Sequence, residues 1–331
     1  MKKKLLALLL GAAMCLSLAA CGEKADTPDT PDTPSGGDKA AYTVGICQLA
    51  QHEALDAATK GFIDALSEAL PGQVEFEEKN ASGDPNTCST IVNGFVSDGV
   101  DLILANATSP LQAAASATAD IPILGTSVTD YASALELDNW TGTVGGNISG
   151  TSDLAPLDGQ ADMLVELCPD AKNVGLIYCS AEANSKYQVD EMIKLLEAKG
   201  LNCTEFAFTD SNDVASVTQA ACDASDVIFI PTDNTAANNT EAIANVVLPS
   251  KTPVIAGEQG ICKGCGIATL SIDYYELGTI TGRMAAKILT GEADIATMPI
   301  EFAPNVTKMA NAANCEALGI TVPEGYEMLE G

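Results

Sequence analysis

Few residues in this chain offer a starting point for chemistry. His52 is the one histidine and Arg283 the one arginine in 331 residues. A Ser–His–Asp relay could be built only on His52, and a His-rich zinc site cannot be built at all. His52 follows the first β-rich run, whereas α/β hydrolases place a GxSxG turn ahead of a late histidine, and no GxSxG occurs. Cys262-Lys263-Gly264-Cys265 has the spacing of a redox or metal pair, but no second CxxC and no neighbouring histidine complete a zinc site. The motif is expected in a Gly-rich turn between strands, with no redox or metal role; a local disulfide is the alternative. GxxxxGK[ST] is absent, and no GxGxxG follows the first strand, so a nucleotide site is not expected. What the chain has in abundance is carboxylate. Against 16 Lys and Arg stand 45 Asp and Glu, for a net charge of −29. That balance argues against nucleic acid as a partner. Neither a metal nor a cofactor is expected.

The cysteine at position 21 has a different meaning. Lys2, Lys3 and Lys4 precede an apolar run from Leu5 to Ala20, too short and wrongly flanked for a stable spanning helix, which reads as an export signal over residues 1–20. The run ends Leu18-Ala19-Ala20-Cys21-Gly22, a bacterial lipobox pattern in which Cys21 would carry a lipid. Residues 21–41 repeat Thr-Pro-Asp and contain nothing that could build a core, so they are expected to be a tether; Pro-rich chain extends by about 3.1 Å per residue. No other segment is apolar enough to span a bilayer. The expected location is outside the cytoplasm, held to the membrane by lipid on Cys21.

The remaining sequence must position any site. From Tyr42 onward, short β-rich runs alternate with helical stretches. Strands are expected at 42–48, 73–78, 101–105 and 121–125, and helices at 54–70, 86–98 and 110–118. After a stretch of little helical character (133–152), the rhythm restarts with helices at 157–167, 186–199, 214–224 and 236–247. Strands are expected between them at 173–178, 202–208, 227–230 and 253–256. A helix at 276–289 and an extended run at 298–306 follow. Alternating βα units predict an α/β fold with two Rossmann-like lobes, each a parallel sheet covered on both faces.

Ligands of open α/β sheets sit beyond the carboxyl ends of the strands. The residues there include Gln48 and His52, Asn106, Thr108 and Ser109, then Thr126, Ser127, Thr129 and Asp130. In the second half they include Asn184, Asp233, Asn234 and Glu258. All are short or polar, as suits a solvated cleft between lobes. Several have plainer explanations: Asp130, Asp153 and Asp273 could cap helices or turns, Gln48 could pair a loop backbone, and His52 could cap or pack. Trp140 would seal the hinge.

Taken together, Val44-Gly45-Ile46-Cys47-Gln48-Leu49, His52-Glu53-Ala54-Leu55-Asp56-Ala57-Ala58, Val128-Thr129-Asp130, Gly150-Thr151-Ser152-Asp153, Pro231-Thr232-Asp233-Asn234 and the run from Ala268 to Gly278 resemble the ABC transporter substrate-binding lipoproteins of the tryptophan/tyrosine type. The likeness covers nearly all of residues 42–325 in order. It implies a type I periplasmic-binding-protein fold with a three-crossover hinge. Lobe 1 would comprise 42–148 and 270–297, and lobe 2 would comprise 149–269 and 298–331. It also implies no catalysis, and delivery of a small solute to an ABC permease and, through it, a cytoplasmic ATPase. An aromatic amino acid is the expected solute. A nucleoside, sugar or branched-chain amino acid on the same fold is the alternative, and a lipoprotein hydrolase or a receptor ectodomain is more remote. Cys47, Cys262 and Cys265 depart from what the resemblance leads one to expect. For an amino acid, Asp273, Asp233 and Glu258 are expected to meet the ammonium, with Asp273 central and Tyr274 lining the cleft. With Arg283 inside a helical pattern, the ligand carboxylate would fall to Thr108, Ser109, Thr126, Ser127 and Thr129 and to a helix N-terminus.

Overall fold

The computed structural model describes residues 41–329, which fall within one compact unit. The signal and lipidation site expected at 1–20 and Cys21, and nearly all of the tether, lie outside the described residues. The chain begins β1 (Tyr42–Gln48), α1 (Glu53–Ala69), β2 (Val74–Asn80), α2 (Pro85–Asp98), β3 (Leu102–Asn106), α3 (Thr108–Ala117) and β4 (Ile123–Val128). A short α4 (Tyr131–Ala134) and β5 (Ile148–Ser152) follow. The continuous burial of β3, β4 and β5 is that of strands covered on both faces.

The second series runs α5 (Leu157–Leu167), β6 (Asn173–Cys179), α6 (Ala183–Ala198), β7 (Asn202–Phe208), α7 (Val214–Ala224) and β8 (Val227–Ile230). It continues with α8 (Asn234–Ala237), α9 (Thr240–Ser250), β9 (Val254–Ala256), α10 (Gln259–Cys265), β10 (Ala268–Ile272) and α11 (Tyr274–Leu289). The chain closes with β11 (Glu301–Phe302), β12 (Val306–Asn311), α12 (Ala312–Leu318) and β13 (Glu327–Leu329). The helix expected at 236–247 is two helices, because Asp233 caps α8 and the chain turns at Asn238-Asn239 before α9. The CxxC lies on α10 rather than in a turn, since Glu258 caps that helix through the Gly260 and Ile261 N–H groups. Cys262 and Cys265 are buried free thiols there, and no disulfide forms among the described residues.

Two sheets result. The first has the order β11-β5-β4-β3-β1-β2, all parallel; the second has the order β13-β12-β10-β9-β8-β6-β7, with only β10 and β12 antiparallel. Strand order reverses between β1 and β3 in one and between β6 and β8 in the other, the switch points where ligands bind. Pairing moves the expected lobe boundaries. Residues 148–152 belong whole to the first sheet as β5, and 268–272 belong whole to the second as β10. Glu301 and Phe302 pair with β5, so they fall in the first sheet and the last crossing comes just before β12. The three crossings therefore follow Ser152, Ile272 and Phe302.

The second crossing sends α11 back onto α1, and the sequence permits an unusually close seam there. A Cβ on Gly278 would stand 1.9 Å from the Ala58 carbonyl oxygen, and one on Gly61 would stand 2.1 Å from that of Tyr275. Only glycine allows these backbones to touch. Beside the seam, Ala54, Ala58, Ala155, Ile272, Tyr274 and Leu277 form an apolar cluster that ties the crossings together. Arg283 is exposed on α11, and Trp140, expected to seal the hinge, is 39% exposed. No helix among the described residues is long and apolar enough to cross a membrane.

Candidate functional site

Where the strand ends of the two sheets face each other lies a small enclosed cavity. It is lined by His52, Ala54, Leu55 and Ser127 on the first-sheet side, by Asn184, Thr232, Asp233, Asn234, Ala237 and Glu258 on the other, and by Asp153 and Tyr274 at the crossings between them. Each polar member sits at or beyond the carboxyl end of a strand: β1 for His52, the last residues of β4 for Ser127, β5 for Asp153, β6 for Asn184, β8 for Thr232 to Asn234, β9 for Glu258 and β10 for Tyr274. In this conformation the cavity measures about 10 Å³, room for one water. An amino acid requires the lobes to part. Outward of Asn234 the cleft widens into a mouth of about 490 Å³, bordered by Ser82, Asp84 and Ser109 on one side and Glu182, Thr209 and Asp210 on the other.

The lining is acidic and contains neither lysine nor arginine. Asp153 is buried and accepts from Thr129 Oγ1 at 3.0 Å and Tyr274 OH at 3.1 Å. Loss of solvent pushes its carboxyl up to about 6, those two hydrogen bonds only partly opposing it. Asp233 accepts from Cys179 N and Ala236 N, both at 2.7 Å, yet burial and then the charge of Glu182 lift it to about 7. Glu258 is also raised by burial, with His52 pulling the other way. Hydrogen bonds thus orient three buried carboxylates that face neither lysine nor arginine in the lining.

Ser127 adds a second signal. Its backbone has φ +53°, a left-handed conformation that costs a non-glycine residue energy, and its buried Oγ has no hydrogen-bond partner. Ala107, opening α3, is similarly strained at φ +100°. Strained backbone and unpaired buried hydroxyls cluster at functional sites.

Other expected site residues serve the frame. Gln48 bonds to Ala50, Asp56 and Thr59 and holds the β1–α1 turn; Asn106 donates to Leu55 O and Thr59 Oγ1. Thr126 accepts from Thr151 and Thr281 in the interior. Thr129 touches the site through Asp153 and receives Gln188 Nε2 from across the cleft at 3.2 Å. Thr108 is buried at the start of α3, whereas Ser109 faces the outer mouth. Asp130 caps α4. Asp273 lies outside the cavity altogether: it is exposed, caps α11 through Glu276 N, and borders a separate hinge-side hollow. A cap at that helix start needs the carboxylate turned back onto its own backbone, away from the cleft. Tyr274 is buried at the cavity, and Tyr275 is exposed beside Lys60.

Sequence reasoning offered Asp153 only as a cap and did not single out Glu182. Asp153 directly follows β5, and reading 148–152 as a strand rather than crossover would have placed it at a strand end. Glu182 is buried among five donors, a role that no local pattern announces. Among the described residues, no cluster of His, Cys, Asp and Glu is disposed to hold a metal.

A family model for ABC transporter substrate binding proteins matches residues 43–329. A tyrosine-binding protein of Clostridioides difficile is 32% identical over 320 residues, covering 96% of this chain and 92% of that one. A Streptococcus pneumoniae domain crystallised in complex with L-Trp superposes with a TM-score of 0.83 at 31% identity, over 88% of this chain and 100% of that one. A ligand-free, open substrate binding protein with adhesive properties from Clostridium difficile is 35% identical over 87% of this chain and 99% of that one, yet superposes with a TM-score of only 0.68. Greater identity with poorer superposition indicates a difference in conformation, and the nearly closed cavity here sides with the complex.

Proposed function

We propose, because the chain belongs to the family of ABC transporter substrate binding proteins, that it captures an aromatic amino acid between its lobes and delivers it unchanged to a membrane permease. Members of this family work outside the cytoplasm; they bind solutes and are not enzymes. The observation that carries the choice of an amino acid is the cavity wall. Asp153, Asp233 and Glu258 converge with no lysine or arginine among them, so the ligand must bring the positive charge, as an α-ammonium does. The ligand carboxylate then meets Ser127 Oγ and the N-terminus of α3 at Thr108 and Ser109, where backbone N–H groups favour an anion. Leu55, Ala54, Ala237 and the Tyr274 ring supply apolar surface for an aromatic side chain. The named tyrosine-binding relative and the L-Trp complex support that choice.

In this reading Cys21 carries the lipid, residues 21–41 tether the binding unit, and the permease with its cytoplasmic ATPase receives the solute. Isothermal titration with L-tyrosine and L-tryptophan, alongside glucose and adenosine, tests the solute class. Saturable binding of an aromatic amino acid alone is expected. Binding of a sugar or nucleoside, with none of either amino acid, sinks the reading.

A further inference from the structure

Across the cleft, His52 Nε2 stands 3.1 Å from Asn234 Oδ1, joining the start of α1 to the start of α8. An amide could point either end at an imidazole, so the identity of the donor depends on what holds Asn234. That is Glu182. Its Oε2 accepts from Asn234 Nδ2 at 2.7 Å and from Asn234 N at 3.0 Å, while Oε1 accepts from Thr235 N and Thr235 Oγ1, both at 2.8 Å. Asn184 Nδ2 adds a fifth bond at 3.2 Å. An ionised carboxylate only accepts, so Asn234 must turn its amide NH2 toward Glu182; the amide oxygen then faces His52, and the ring nitrogen must carry the proton.

We infer that Glu182, acting through Asn234, fixes His52 as an Nε2–H donor and makes the His52–Asn234 bond a latch that closes the inner cavity against the outer mouth. Position supports this, since Asn234 borders both the inner cavity and the wider mouth outside it. Glu182 is a positioning residue here: it sits 6% exposed behind Asn234 and is no part of the inner lining. Asp153, Asp233 and Glu258 line the same cavity as the ring, and a second proton on the ring, at Nδ1, leaves the Nε2–H donor in place. The latch deepens the proposed capture of solute, but it specifies how the lobes hold together rather than what they hold.

The single histidine makes the test direct. Nitrogen-15 NMR of the untagged full-length chain, at about pH 8 to favour neutral imidazole, reads the tautomer of His52 with and without L-tyrosine, while small-angle X-ray scattering on the same samples reports closure. In whichever sample is compact, the Nε2–H signature is expected. Asn234→Ala and Glu182→Ala are each expected to give mixed tautomers, the first serving if loss of the buried Glu182 impairs folding. His52→Ala is expected to speed solute release about three- to tenfold, the worth of one neutral hydrogen bond, and His52→Gln, which restores an amide donor, to recover most of it. A compact sample with the Nδ1–H tautomer, a chain that never compacts, or an Asn234→Ala variant with an unchanged tautomer overturns the latch. Failure of L-tyrosine to bind a chain that is compact and Nε2–H overturns the solute reading alone.

Discussion

The two walls of the cleft solve the same problem with different chemistry. On the first-sheet side, Gln48, Asn106, Thr126 and Thr129 are neutral and occupied with neighbouring side chains or backbone. On the second-sheet side, Asp233 and Glu258 bring charge into the interior, with Glu182 just behind them. Asp153, at the crossing from one lobe to the other, joins the charged set. A neutral wall costs little to bury and shapes the space. A charged wall is expensive to bury without a partner, and it selects for a ligand that brings one. In the proposed site, discrimination by charge would thus sit mainly on one lobe, and the fit that closure demands on the other.

The largest effect should come from the charged set. Asp153→Asn keeps volume and much of the hydrogen bonding but removes the charge, and it is expected to weaken L-tyrosine binding about 10- to 100-fold by calorimetry, the range for a hydrogen bond to a charged group. An unchanged affinity would break the contrast between the walls.

Proton linkage should separate them next. Burial pushes Asp153 up to about 6 and Asp233 up to about 7 in the folded protein, above the ordinary carboxylate range. The folded state therefore holds protons that the unfolded chain has released, and stability falls as pH rises through that window. Melting of the solute-free chain is expected at higher temperature at about pH 5.5 than at about pH 7.5, whereas affinity for an ammonium ligand should move the opposite way. Asp153→Asn with Asp233→Asn should flatten both trends; a melting temperature that instead rises with pH across this window contradicts the assignment.

A smaller change is expected from the neutral wall. Ser127→Ala deletes a buried hydroxyl that has no partner, so the thermal melt should not fall, while affinity drops about three- to tenfold. A clear loss of stability with no loss of affinity would make Ser127 part of the frame. Smallest of all should be Asp273→Ala. Titration should give unchanged affinity, and the lost cap should cost about 0.5–2 kcal/mol of stability. A large affinity loss there would return Asp273 to the site.

How far the sequence alone reached is clearest at particular residues. His52, Asp233, Asn234 and Glu258 were legible as residues just beyond strands, because strand ends converge on a cleft whatever the details of packing. The same logic pointed to Asp273, which lies outside the cavity; Asp233, Glu258 and Asp273 all cap helices, and only burial by distant segments separates the first two from the third. Asp153 was hidden because β5 is Ile-Ser-Gly-Thr-Ser, a strand with little apolar signal that forms because its partners on both sides supply the pairing.

Composition and the βα rhythm by themselves determined a two-lobed α/β body rich in carboxylate, with one histidine and no built-in cation at its strand ends; these follow from local propensity and residue type. The tertiary structure alone decided which acids are stripped of water together, which are turned back to cap a helix, and that Asn234's amide is pinned so that its oxygen meets His52. Burial and orientation depend on chain segments far apart in sequence, and no pattern within a single segment encodes them.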